Sequence, residues 1–271
     1  MRTYAFLGIG IILGLIVCAQ SPVYAQLMIN KGKVTIDIQP QQTYMGSLTV
    51  QNSSDQDLAV RVYMEDFRYE APYEGTKEFF PVGTQPDSCG EWFTFSPQEF
   101  SLPAFTSRDV SYAVKVPPSV KGGYYGVMFF ETSPGRLQDV RMDLTIVQRI
   151  GCLFFLEGVD KEKRISIDNI SLEEASVYGR LTNRGNITLV INGVFYILDQ
   201  TGVVVDRGNI VPLYLPSGIQ SEFETGFSSS IGAGTYTMVL TFDLEDGAVL
   251  VKEIDFRKDS SERITVLNIR D

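Results

Sequence analysis

Histidine is absent from this chain of 271 residues. Its absence removes Ser-His-Asp triads, Cys-His dyads and every metal site that relies on imidazole. Basic residues are outnumbered, 23 Lys and Arg against 33 Asp and Glu, and the net charge of −10 opposes a partner held through phosphates or an anionic membrane surface. Past residue 25 no apolar run approaches membrane length, and no helical stripe reaches ten residues; Leu172 to Ala175 could form one turn at most. The glycine-rich piece Gly232-Ala233-Gly234 precedes a strand pattern rather than a helix, so it is not a phosphate loop. Only three cysteines are present, but the chain is long enough to bury cores without a metal or a disulfide framework. What remains is an ordinary folded composition, 44% hydrophobic and 21% charged, at a length that suits two domains.

The first 25 residues have the form of an export signal. Arg2 supplies the positive start, Tyr4 to Ala19 the apolar core, and Val23-Tyr24-Ala25 the small residues of a cleavage site. A mature chain starting at Gln26 is therefore expected, in the periplasm, outside the cell or at its surface, with no membrane insertion after cleavage. An uncleaved anchor would need a longer run, and a lipoprotein on Cys18 is opposed by Val17. Cleavage leaves Cys89 and Cys152. In an oxidising compartment they are expected to form one disulfide; the alternative is two unrelated thiols, Cys152 buried and Cys89 in a loop.

Period-two alternation dominates the rest. Leu58, Val60, Val62 and Met64 share one face, as do Val110, Tyr112, Val114 and Val116, and again Tyr236, Met238, Leu240 and Phe242. This is the mark of half-buried antiparallel strands. Short strands between Gly, Pro, Asn and Asp clusters indicate sandwiches. Gly122-Gly123-Tyr124-Tyr125 and Gly232-Ala233-Gly234-Thr235-Tyr236 each open a late strand with tyrosine, in the manner of a tyrosine corner. Glu245-Asp246-Gly247 is read as a hairpin turn. The expected fold is all-β: two tandem immunoglobulin-like β-sandwiches after a signal peptide. The segments are 1–25 (signal), 26–158 (first sandwich), 159–258 (second) and 259–271 (a polar tail).

Within residues 33 to 157 the order of features resembles the N-terminal domain of the PapD-like periplasmic pilus-assembly chaperones. The matching pieces are Val34-Thr35-Ile36 leading to Pro40, Leu48-Thr49-Val50-Gln51-Asn52, Trp92 to Pro97 with Phe100 to Pro103, Asp109 to Pro117, Gly123 to Glu131, and Met142 to Phe155. The same pieces are also similar to a looser set of cell-envelope immunoglobulin-like proteins. The resemblance implies a strand lent to an incomplete partner sandwich, with Met142, Leu144 and Ile146 as the alternating apolar residues and Arg149 opening the Arg-Ile-Lys signature. An edge strand facing its own core would alternate identically. The family's anchoring lysine falls on Gly151 and its first-strand arginine on the segment Gln41-Gln42, so neither charge is found there; Arg149 is the remaining candidate for holding a partner's carboxylate.

No catalytic constellation is found. Glu65-Asp66 would point to opposite faces of a strand, and loop calcium lacks a complete ligand pattern. The chain is expected to be non-enzymatic, without cofactor or metal, and to bind a protein such as a pilus or surface-assembly subunit rather than nucleic acid. The alternative is a carbohydrate- or peptidoglycan-binding or purely structural surface module. Its ligand would meet exposed aromatics Tyr63, Phe67, Tyr69 and Tyr73, which lead into residues 70–88, a stretch without a clear strand pattern.

Overall fold

The computed structural model describes residues 27–132, 135–136, 145–245 and 249–271, and of 135–136 and 145–146 only the backbone. The proposed export signal, Met142, Leu144 and the Asp246-Gly247 turn lie outside the described residues. Among the described residues there is no α-helix, only a 3₁₀ turn at Gly90–Trp92.

The first domain contains β1 (Leu27–Ile29), β2 (Lys33–Ile38), β3 (Thr43–Asn52), β4 (Leu58–Tyr69), β5 (Lys77–Phe80), β6 (Phe93–Ser96), β7 (Glu99–Leu102), β8 (Ser107–Lys115), β9 (Gly123–Thr132), β10 (Gly135–Arg136), β11 (Thr145–Ile146) and β12 (Arg149–Gly158). One sheet runs β1-β3-β8-β6; the facing sheet runs β2-β12-β9-β4-β5, with β7 also on β4. The opening segment changes sheets between β1 and β2. β1 is antiparallel to β3, whereas β2 lies parallel to β12.

The second domain contains β13 (Ile165–Glu173), β14 (Ser176–Asn183), β15 (Leu189–Asp199), β16 (Val204–Leu215), β17 (Gln220–Gly226), β18 (Gly234–Asp243), β19 (Val249–Lys258) and β20 (Ile264–Arg270). Its sheets are β13-β14-β17 and β16-β15-β18-β19-β20. Residues 259–271, expected as a polar tail, thus include β20, antiparallel to β19. Its Ile264 and Val266 pack on the second core, and that burial outweighs the polar residues between them. Leu172 to Ala175 form no helical turn. Leu172 and Glu173 finish β13, and Glu174 and Ala175 turn the chain with φ of 49° and 76°.

The alternating residues face inward. Val60, Val62, Val110, Tyr112, Val114 and Val116 are buried in the first core, and Met238, Leu240 and Phe242 in the second. Both tyrosine hydroxyls close local corners, Tyr124 accepting from the Lys121 N–H (3.3 Å) and Tyr236 donating to the Gly232 carbonyl (3.0 Å). Each domain also buries one asparagine. Asn52 Nδ2 donates to the carbonyls of Gln56 and Leu102, and Asn183 Nδ2 to those of Ile187 and Leu215. These bonds satisfy carbonyls at the sandwich end, which would be costly to bury unpaired.

Candidate strand-addition edge and interdomain face

β12 is the strand on which the candidate site depends. Along one side it pairs with β9 from Arg149 to Glu157; along the other, β2 joins only from Leu153, opposite Lys33, to Gly158. Among the described residues, Arg149 to Cys152 therefore have a ladder on one side alone. Immediately before them the chain makes a small ladder, β10 on β11, which pairs Gly135 with Ile146. The hydrogen bond from the Thr132 N–H to the Gln148 carbonyl (2.9 Å) lies beside that ladder.

Arg149 is held by its own domain. Its guanidinium lies 4.1 Å from the Phe129 ring centre and 5.3 Å from that of Phe79. It donates to Glu65 at 3.4 Å and to the Tyr63 hydroxyl at 3.5 Å, and Tyr63 in turn donates to Glu131 at 2.7 Å. Burial pushes the Glu65 carboxyl above its usual range, against the pull of Arg149. The guanidinium is thus engaged in fastening the start of β12 to β4 and β9. Its side chain nonetheless remains 37% exposed.

Gly151 has no room for a side chain. A Cβ on Gly151 would come within 2.7 Å of Val127 Cγ2 and 2.8 Å of Phe129 Cε1. Gln41 and Gln42, where a first-strand arginine was sought, lie outside the strand beside β12. Gln41 turns the chain between β2 and β3 with φ of 63°, and the strand beside β12 is β2, which begins with Lys33. The Lys33 ammonium stands 4.6 Å from the Phe155 ring centre and 3.2 Å from the Glu245 carboxylate of the second domain.

The expected disulfide is not formed. Cys89 and Cys152 are both free and buried. Cys89 packs against Gly126, while Cys152 pairs with Met128 two residues further along β9. Burial pushes the Cys152 thiol up to about 12 and the Cys89 thiol well above its ordinary value, with Asp66 and Asp87 adding to the latter. Neither is a thiolate at neutral pH.

The aromatic platform also needs correction. Tyr63 is half-buried, but Phe67 and Tyr69 are only 4% and 5% exposed. They belong to a layer on the outer face of the β12-β9-β4 sheet, with Tyr125, Phe129 and Phe155. The second domain covers one end of that layer. Tyr69 stacks on Tyr214 with ring centres 4.7 Å apart, and Tyr73, at φ of 71°, accepts at its carbonyl from the Tyr214 N–H (2.8 Å). The Pro72 carbonyl accepts from the Ser221 hydroxyl at 2.8 Å. Residues 70–76 therefore form a strap onto the second domain. The stretch beyond them, expected to lack strands, contains β5, and Asp66 orders the following loop by accepting from Thr84 N–H, Gln85 N–H and the Ser88 hydroxyl.

Further bonds fix the domains together. The Tyr125 hydroxyl accepts from the Thr188 N–H at 2.5 Å and the Gly122 N–H donates to the Asp160 carboxylate at 3.1 Å, while within the second segment the Asn186 side chain bridges Glu162 N–H and the Asp160 carbonyl. Gly122 takes φ of 69° where the Asn186 carbonyl crosses, leaving no room for a Cβ.

These features define a two-domain, immunoglobulin-like β-sandwich protein. No protein-family model matches the chain, and no curated protein sequence matches it. Among solved structures it is similar to the class 5 fimbriae chaperone CfaA, at 15% identity over 83% of this chain and 97% of that one, with a TM-score of 0.48. It is similar to the CupB2 chaperone of Pseudomonas aeruginosa at 12% identity over 83% and 98%, TM-score 0.46. A chain from the complex of Salmonella enterica SafA pilin with the SafB chaperone is similar at 11% identity over 83% and 92%, TM-score 0.48. The likeness is one of fold. Among the described residues no helix is long and apolar enough to cross a membrane.

Proposed function

We propose that this protein is an exported, non-enzymatic binder of other proteins in the cell envelope, chaperone-like in the assembly of pili or other surface structures. It acts by adding a strand to an incomplete partner sandwich. The observation that carries the reading is the edge of β12: among the described residues Arg149 to Cys152 pair with β9 alone, and Met142 and Leu144 precede them in the sequence. Main-chain groups along such an edge give affinity, and alternating apolar side chains give register. Lys33 supports the reading by placing a cation beside β12, the position for which the family uses a first-strand arginine. The glycan-binding alternative loses its platform because Phe67 and Tyr69 are buried.

The test is co-purification from the host envelope with mature wild type and Leu144→Glu. The expected result is a near-stoichiometric β-rich subunit with wild type, lost with the variant, while thermal unfolding of the free variant is unchanged. If Leu144→Glu unfolds the free protein, residue 144 is core and the donor reading fails. It fails equally if wild type brings down no β-rich subunit.

A further inference from the structure

We propose that the cavity between the two domains is a binding site for a primary ammonium group on an alkyl stem. The cavity holds about 420 Å³, within the usual range for small-ligand sites, and is lined by Phe67, Tyr69, Asp87 and Tyr125 from the first domain and Thr188 and Ile219 from the second. It lies at β4, separated from β2 by β9 and β12 in the sheet order, so it stands apart from the strand-addition edge.

Two unanswered polar groups point to the ligand. The Asp87 carboxylate is half-buried, and among the described residues neither a cation nor a donor from another residue meets it. A carboxylate in such surroundings is costly without a counter-charge. The one basic lining residue, Arg68, is committed elsewhere, to Glu78 at 2.8 Å and to the Phe80 ring at 5.0 Å. The second group is the Tyr69 hydroxyl, on a side chain 5% exposed, with no hydrogen-bond partner among the described residues. No polar side-chain atom shut away from solvent lacks a partner there, so this oxygen is reached by solvent, on a residue that lines the cavity.

An ammonium carries three donors and no acceptor. Asp87, Tyr69 and Thr188 offer three oxygen-bearing groups, and the apolar walls suit an alkyl stem. An anion would meet the carboxylate. A sugar would lack an open ring face, since Tyr214 covers Tyr69 and Phe67 and Tyr125 are buried. The chain's net charge of −10 favours a cation as well.

The same head group occurs on a lysine side chain of a protein partner and on a free alkyl amine. Titrations of the mature protein followed by amide chemical shifts would use N-acetyl-lysine methylamide, cadaverine, and N-acetyl-norleucine methylamide as the neutral control. Saturable shifts at Asp87, Tyr125 and Thr188 are expected with both cations and not with norleucine. Asp87→Asn should weaken binding about 10-fold or more, the loss of one charge-assisted bond, and Tyr69→Phe by a few-fold. Asp87→Asn breaks no bond to another residue, so it should unfold no earlier than wild type at neutral pH. Tighter binding of the lysine derivative assigns the site to a partner's side chain, and tighter binding of cadaverine to a free amine. Equal binding of norleucine, unchanged affinity in Asp87→Asn, or no saturable shift at about 20 mM, beyond the weakest affinity expected of a single charged group, would overturn the proposal.

Discussion

Gly151 sets two opposing effects against each other. It is the third residue of β12, paired on one side with Phe129 of β9, in a setting where replacing glycine by alanine ordinarily gains about 0.5–1 kcal/mol by restricting the unfolded chain. Here the added Cβ would stand 2.7 Å from Val127 Cγ2 and 2.8–2.9 Å from two Phe129 ring carbons. Phe129 cannot simply move aside: its ring is in edge contact with Phe79 at 5.0 Å and carries the Arg149 guanidinium at 4.1 Å. Overpacking of this kind costs about 1–3 kcal/mol, so the net expectation for Gly151→Ala is a loss of about 1–2 kcal/mol. At about 2–4 °C per kcal/mol for a chain of this size, Tm should fall by about 2–8 °C. The assay is thermal unfolding by circular dichroism on the mature chain. A double-mutant cycle with Val127→Ala should return at least about 0.5 kcal/mol of coupling, because that change vacates one side of the clash. A Tm for Gly151→Ala equal to or above that of wild type would refute the steric account. Any larger side chain carries the same Cβ, so the same account excludes lysine from this position.

Tyr214→Ala removes the stack on Tyr69, about 0.5–1.5 kcal/mol beyond its buried area. Calorimetry should show one transition for wild type and two for the variant; an unchanged single transition would mean the strap does not couple the domains. Cys89 and Cys152 should resist a thiol reagent in the native mature protein and both react after unfolding, with Tm indifferent to dithiothreitol; a Tm lowered by the reductant would restore the disulfide.

Local sequence settled the class of fold. Period-two runs such as Val110 to Val116 put every second side chain on one side of the strand whatever its neighbours, so the sandwich character was readable residue by residue. The absence of histidine likewise narrowed the chemistry without any structure. Tertiary structure decided the rest, because each remaining question concerned which residues meet. Phe67 and Tyr69 look the same in sequence whether they face solvent or another domain, and Tyr214, far away in the chain, buries Tyr69. Two cysteines give no distance, and their placement at different points of β9 left both as thiols. Ile264 and Val266 are too short a signal to reveal β20 until β19 is beside them. That Lys33 lies beside β12 could be read only once β2 was seen lying parallel to β12. That pairing is non-local, set by where the chain crosses between sheets at residues 30–32, and nothing in the alternation of either strand encodes it.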